Sequence, residues 1–338
     1  MRVGVVLGVG GIMGGAWLAG AVRAIAEETG WDPGSADHLV GTSAGSITVT
    51  LLATGVPAAS VADSYRRDIL GHLPDGELRE LEAVEAKGGR YTPHRGVPIP
   101  GPGSWKLALD GMMRPWRHRP AALLAGWLPR GVVSHQPLRE AVREAGPATW
   151  PEHPPLWIVG CDYSTGRRVV FGREGAPDAE VADAVTASCA VPGFYHPITI
   201  QGRRYIDGGV WSASNLDVLH DQPLDFVLCL NPTSSLDDLT SNGPGDLLSA
   251  TWRRISGRRL GWEAKRLRAA GKEVALIQPV KEDLAAMGPN MMRRTGVGNV
   301  VEVARRTTAE QLRRPGASNT LLALGRKQGS KRRAAGTG

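Results

Sequence analysis

Two short apolar runs near the start of the chain each lead into a glycine-rich turn, and this repetition restricts the fold more than any other feature. Val3–Leu7 precedes Gly8-Val9-Gly10-Gly11-Ile12-Met13-Gly14, and His38–Val40 precedes Gly41-Thr42-Ser43-Ala44-Gly45. After the first turn, Leu18, Val22 and Ile25 recur at helical spacing, in a helix expected to start near Gly14. After the second, Ser46–Ala53 continues a helix opened by Ala44. A strand, a tight turn and a helix, repeated, predict a mainly parallel sheet with helices on both faces. The expected fold is α/β, a three-layer α/β/α sandwich.

The first run has a rival reading as a signal peptide or membrane span, because residues 3–22 carry no charge. Seven of those twenty residues are Gly, and each weakens a helix by about 1 kcal/mol relative to Ala. A buried strand and turn fit better. Residues 38–62 and 184–202 also lack Lys, Arg, Asp and Glu, but Pro57, Pro192 and Pro197 interrupt them. Cys161, Cys189 and Cys229 are odd in number and scattered, with no disulfide or metal-ligand spacing. The expectation is a cytoplasmic protein with peripheral contact at an anionic membrane surface.

A formal charge of +7 conceals an uneven distribution. Residues 94–130 carry six Lys and Arg against one acid, residues 252–272 eight against one, and residues 305–333 nine against one. Basic, Trp-bearing surfaces suit anionic lipid headgroups or nucleic acid, while the plainer reading is solvated helix faces and a disordered tail. Residues 91–104, YTPHRGVPIPGPGS, cannot form a regular element. With Trp105, Met112, Met113, Trp116 and Trp127 they read as an insertion over about 91–130, a lid on the core. Hairpins are expected at Leu156–Cys161 with Arg168–Phe171 and at Ile198–Ile200 with Arg204–Ile206. Further strands fall at Phe226–Leu230 and Val274–Ile277, with helices at 58–90, 183–188, 252–272 and 296–313. The expected division is one domain over 1–324 and a basic disordered tail over 325–338.

Gly41–Gly45 has the G-x-S-x-G spacing of a nucleophile elbow, in which a serine sits on a sharp strand-to-helix turn. A serine hydroxyl needs an adjacent base before it can attack an ester. The 8–14 turn can point free backbone amides at a developing oxyanion. It fails as a dinucleotide fingerprint, since Met13 occupies the place of the last glycine. Asp207 ends a strand and is followed by Gly208-Gly209, which permits a carboxylate to be aimed into a site, although an ordinary Asp-Gly turn reads the same way. His196 and His220 are the histidines to consider for a Ser–His–Asp triad, and each reads more simply as structural.

Taken together, LGVGGIMGGAW, GTSAGS and ASCAVPGFYHPI followed by YIDGG make the chain resemble the patatin-like phospholipase family over roughly residues 1–235. The later stretch IQPVKEDLAAMGPNMM is similar to bacterial members as well. The resemblance implies a lipid acyl hydrolase with Ser43 as nucleophile and Asp207 as its directly bonded base. It implies an oxyanion hole from Gly10, Gly11, Ile12, Met13 and Gly14, with Gly41, Ala44, Gly45, Gly208 and Gly209 supporting elbow and dyad. It implies no metal and no organic cofactor, an acyl lipid substrate, and no nucleic-acid partner. Oligomeric state is left open. An aspartate ionises near 3.9 and is a weak base for an alcohol unless burial raises it. Two departures stand out: Met13 replaces a usual Lys or Arg, and GGVWSASNLDVL replaces a shorter Asn-Pro-containing continuation, with Asn215 a candidate for the equivalent structural part. The alternatives are a catalytically weak lipid-binding protein on the same fold, or an acyltransferase or thioesterase using the same dyad.

Overall fold

A computed structural model describes residues 1–66, 94, 101–235, 244–314 and 319–326. The charged helical pattern beyond residue 66, most of the Pro-rich stretch before residue 101 and the tail after residue 326 lie outside the described residues. The strands are β1 (Val3–Leu7), β2 (His38–Thr42), β3 (Leu156–Asp162), β4 (Arg168–Phe171), β5 (Ile198–Ile200), β6 (Arg203–Asp207), β7 (Phe226–Leu230) and β8 (Glu273–Ile277). They form one sheet in the order β5-β6-β3-β2-β1-β7-β8, with β4 also paired to β3. From β3 through β8 the neighbours run parallel. β4, β5 and β6 pair antiparallel on the other flank.

The helices are α1 (Gly11–Thr29), α2 (Ala44–Ala53), α3 (Ala58–Arg66), α4 (Trp105–Met113), α5 (Pro120–Trp127), α6 (Gln136–Ala145), α7 (Val181–Ser188), α8 (Pro244–Ala269), α9 (Lys281–Met287) and α10 (Val297–Arg313). Side chains alternate across the parallel strands, so both faces must be covered. Val3, Val5 and Leu7 enter a core with residues of α1, α2 and α10. Val6 faces the opposite way, into a core that includes Leu260, Ala264 and Leu267 of α8. The three-layer expectation therefore holds. α1 begins at Gly11, three residues earlier than the sequence pattern suggested, because Gly10 already serves as its N-terminal cap and Gly14 donates back to the Gly10 carbonyl at 2.8 Å.

The chain leaves β1 toward β2 on one side and returns at β7 on the other, so β1 is a topological switch point, where open α/β sheets place ligands. The Trp-rich segment is helical, as α4 and α5. It is seated on the β3–β6 flank through Leu107, Ala125, Cys161, Tyr163 and Ile206, and the Tyr163 hydroxyl donates to the Ala125 carbonyl at 2.9 Å. Its outer side exposes Trp105, Met112, Met113, Trp116 and Trp127. The three cysteines are buried and free. Among the described residues no helix is long and apolar enough to cross a membrane.

Candidate active site

Strand pairing brings the three sequence blocks together. Leu7 stands opposite Gly41, so the glycine turn and the elbow leave neighbouring strands side by side. Thr42, just before Ser43, pairs with Val159 of β3. The next residue of β3, Gly160, pairs with Asp207. β3 thus sets the separation between the serine and the aspartate.

Ser43 adopts φ 53° and ψ −124°, a left-handed conformation that costs a non-glycine residue on the order of 1–3 kcal/mol. Its surroundings hold it there. The Ser43 amide donates to Ser188 Oγ at 2.8 Å, and Ser188 Oγ donates to the Val159 carbonyl at 2.6 Å. The Ser43 carbonyl accepts from the amide and hydroxyl of Ser46 at 2.8 and 2.6 Å. Gly45 lets α2 cross β1: a Cβ there would lie 2.1 Å from the Leu7 carbonyl oxygen. Ser43 is 5% exposed and lines two cavities.

Asp207 is equally buried, and its carboxylate accepts a hydrogen bond from the Gly209 amide at 2.7 Å. Burial raises its pKa to about 6, with the nearby Ser43 hydroxyl and the Gly209 amide pulling the other way. That brings the carboxylate much closer to the range of a useful general base. Gly208 fits where a Cβ would meet the Val159 carbonyl oxygen at 2.4 Å.

Of the five residues assigned to the oxyanion turn, two have their amides engaged. Met13 donates to the Met291 carbonyl at 3.0 Å and Gly14 to Gly10. The amides of Gly10, Gly11 and Ile12 donate to no backbone acceptor among the described residues. They lie at the N-terminus of the 19-residue α1, where the helix dipole favours negative charge. Met13 is fully buried, and a guanidinium nitrogen of Arg293 sits 3.8 Å from its sulfur while donating to the Ala286 carbonyl at 2.9 Å. The cation missing from position 13 is therefore approached from another segment.

The histidines considered for a triad lie elsewhere. His196 stacks on His94 with ring centroids 3.7 Å apart, and His220 pairs with Asp221 at 2.7 Å. Neither lines the cavities around Ser43.

Asn215 does hold the Asp207 segment. Left-handed at φ 52° and fully buried, it donates from Nδ2 to Thr42 Oγ1 (3.2 Å), the Gly208 carbonyl (3.3 Å) and the Ser212 carbonyl (2.7 Å). A residue that sequence reasoning missed lies beneath it. Glu263 of α8 has no exposure and accepts from Ser212 Oγ (2.7 Å), Ser214 Oγ (2.5 Å), the Leu216 amide (3.0 Å) and Arg259 (2.7 Å). Its only sequence signal is that it is the lone acid among eight bases between 252 and 272, four residues after Arg259.

Two apolar cavities share Ser43 and Gly11 as their wall. The narrow one, about 100 Å³, is closed by Ile47, Tyr65, His135, Leu138 and Val297. The wider one, about 380 Å³, includes Asp207 and Gly209 and is rimmed by Leu124, Leu128 and Trp252.

A mostly parallel α/β sheet with a serine elbow and a glycine turn at its switch point is the architecture of a class of acyl hydrolases. The chain belongs to the patatin-like phospholipase family, whose sequence model matches residues 6–220. Among solved structures it is similar to VipD from Legionella pneumophila, with 16% identity and a TM-score of 0.44 over 92% of this chain and 66% of that one. It is also similar to the type III effector protein ExoU, with 18% identity and a TM-score of 0.38 over 92% of this chain and 53% of that one. ExoU of Pseudomonas aeruginosa in complex with SpcU matches at 20% identity and a TM-score of 0.32, over 79% and 53%. The chain thus spans about half to two-thirds of the length of these proteins.

Proposed function

We propose that the protein cleaves a carboxylic ester of a phospholipid or lysophospholipid through a Ser43–Asp207 dyad. The observation that carries this reading is Ser43 at the shared wall of two cavities, with the buried Asp207 carboxylate lining the wider one beside it. As Ser43 Oγ attacks the ester carbon, its proton passes to Asp207, and the carbonyl oxygen becomes an oxyanion facing the amides of Gly10, Gly11 and Ile12. Collapse breaks the ester bond, and the leaving alcohol takes the proton from Asp207. Water then attacks the acyl-enzyme, gives a proton to Asp207, and Ser43 is restored as the fatty acid leaves. The acyl chain occupies the narrow cavity and the leaving group the wider one. Residues 1–324 act in this as one hydrolase unit, and the helix over 319–326 carries it two residues past the expected start of the tail, with Gly325 buried against Thr29.

The exposed rim supports a substrate presented at a lipid surface. Leu124 and Trp252 border the wider cavity and are exposed themselves. On the same Trp-rich segment as Leu124, Trp116 (78% exposed), Met112 and Met113 are exposed, as are Arg114 and Arg117. Tryptophan beside arginine suits the interface of an anionic bilayer.

The test is labelling by a fluorophosphonate together with hydrolysis of phosphatidylglycerol vesicles. The wild type is expected to do both, and Ser43→Ala neither, with a loss of about 10⁴-fold or more in rate. Labelling that persists in Ser43→Ala contradicts the assignment.

A further inference from the structure

We propose that the narrow cavity selects an acyl chain carrying a hydroxyl or oxo group, and that His135 is the residue that recognises it. The proposal rests on the reading of Ser43 as the nucleophile. His135 precedes α6, is 5% exposed, and lines the cavity with Ser43, Ile47, Leu138 and Val297. Its ring is stacked on Tyr195 with centroids 3.8 Å apart. The ring is thereby fixed in place, yet neither nitrogen completes a hydrogen bond among the described residues. The backbone of Cys189 lies close enough to favour the protonated ring slightly, but burial dominates and lowers the pKa to about 3. At neutral pH the imidazole therefore carries one N–H donor and one bare acceptor in a ring that lines the cavity.

Such a histidine is hard to explain by packing alone. Buried polar atoms in folded proteins are almost always paired, and an unpaired one calls for a partner. A plain alkyl chain in this cavity would leave both nitrogens unsatisfied, whereas Leu or Phe at the position would serve it better. A hydroxyl on the chain can donate to the bare nitrogen, and an oxo group can accept from the N–H. Arg294 also lines the wall, and the Tyr65 hydroxyl there is already 3.4 Å from Thr48 Oγ1. A base role for His135 is disfavoured, since a ring titrating near 3 takes up a proton less readily than Asp207 near 6.

The experiment compares kcat/KM for p-nitrophenyl octanoate and for its isomers with one hydroxyl moved along the chain. For the wild type, one hydroxyl position is expected to exceed the plain ester about tenfold or more. His135→Leu should invert this, gaining on the plain ester and losing on the hydroxylated one, while His135→Gln keeps part of the preference. As a readout independent of turnover, the matching free hydroxy acid should raise the melting temperature of Ser43→Ala more than octanoic acid does. The proposal is overturned if the wild type prefers the plain ester to every isomer, or if the preference survives in His135→Leu. Hydrolysis of none of the esters would overturn the Ser43 reading first, and this one with it.

Discussion

The two halves of the proposed catalytic pair are held in different ways. On the Ser43 side, close approach dominates: backbone runs so close at Gly45 that no side chain fits, and hydrogen bonds with Ser188 and Ser46 keep the strained serine in the space that is left. On the Asp207 side, position is set by polar satisfaction. Asn215 ties the segment after Asp207 to Thr42, and Glu263 ties Ser212, Ser214 and the Leu216 amide to α8. Close packing is rigid and indifferent to pH, while a buried charge network is adjustable and costly to leave incomplete. The proposed nucleophile thus depends more on close approach, and the segment after the proposed base more on a polar network, although Gly208 is also hemmed in by the Val159 carbonyl.

The sharpest way to break this contrast is Gly45→Ala. The added methyl would meet the Leu7 carbonyl carbon at 2.4 Å as well as its oxygen. A loss of more than about 4 kcal/mol in urea unfolding is expected, with an inactive product. An active, stable Gly45→Ala protein would remove exclusion as the device at the elbow. Glu263→Gln probes the other side at nearly constant volume. It leaves Arg259 with Asp217, 3.6 Å away, as its anionic partner and turns an NH₂ toward groups that themselves donate. About 2–4 kcal/mol of stability should be lost, and kcat should fall more than KM changes, because the Asp207 segment loosens while the narrow cavity keeps its walls. A normal kcat in a folded Glu263→Gln protein would dissociate the network from the base. The smallest effect belongs to the rim, which neither device reaches. Trp116→Ala with Trp127→Ala should lower activity on anionic vesicles about tenfold and leave soluble esters within about twofold. Equal losses on both would make these rings structural.

The contrast also governs how much could be read in advance. Exclusion leaves a local trace, because glycines at fixed offsets after an apolar strand are visible in a few residues. Gly41–Gly45, the 8–14 turn and the Asp207-Gly208-Gly209 strand end were all legible for that reason. Polar satisfaction is distributed across the chain. The Ser43 amide finds Ser188 at a separation of 145 residues, and Thr42 finds Asn215 at 173. Glu263 and His135 lie in segments whose local pattern is only a basic helix and the end of an insertion. α6 itself carries a weak signal, Leu138 and Val142 four residues apart, which is easily passed over beside the Pro-rich stretch. The engaged amides of Met13 and Gly14 depend on the Met291 carbonyl and on where α1 begins, neither of which the motif encodes.

The carboxylate that ends β6 carries a stability consequence as well. Its folded pKa is raised, so the fold holds the proton more tightly than the unfolded chain does. Stability from this group is complete below the unfolded value near 3.8, and falls as pH rises toward about 6. At pH 8 Asp207→Asn should therefore stabilise the protein, by up to about 3 kcal/mol in denaturant unfolding, while removing its base.

The pH dependence of kcat/KM on a soluble ester, taken for the wild type beside Asp207→Asn, tests the dyad most directly. The wild type is expected to rise with pH to a plateau, with a single midpoint near 6 set by the buried carboxylate. Asp207→Asn should lie at least about 100-fold lower and show no such limb. An Asp207→Asn protein that keeps both the rate and the limb would contradict the dyad and require another base for Ser43.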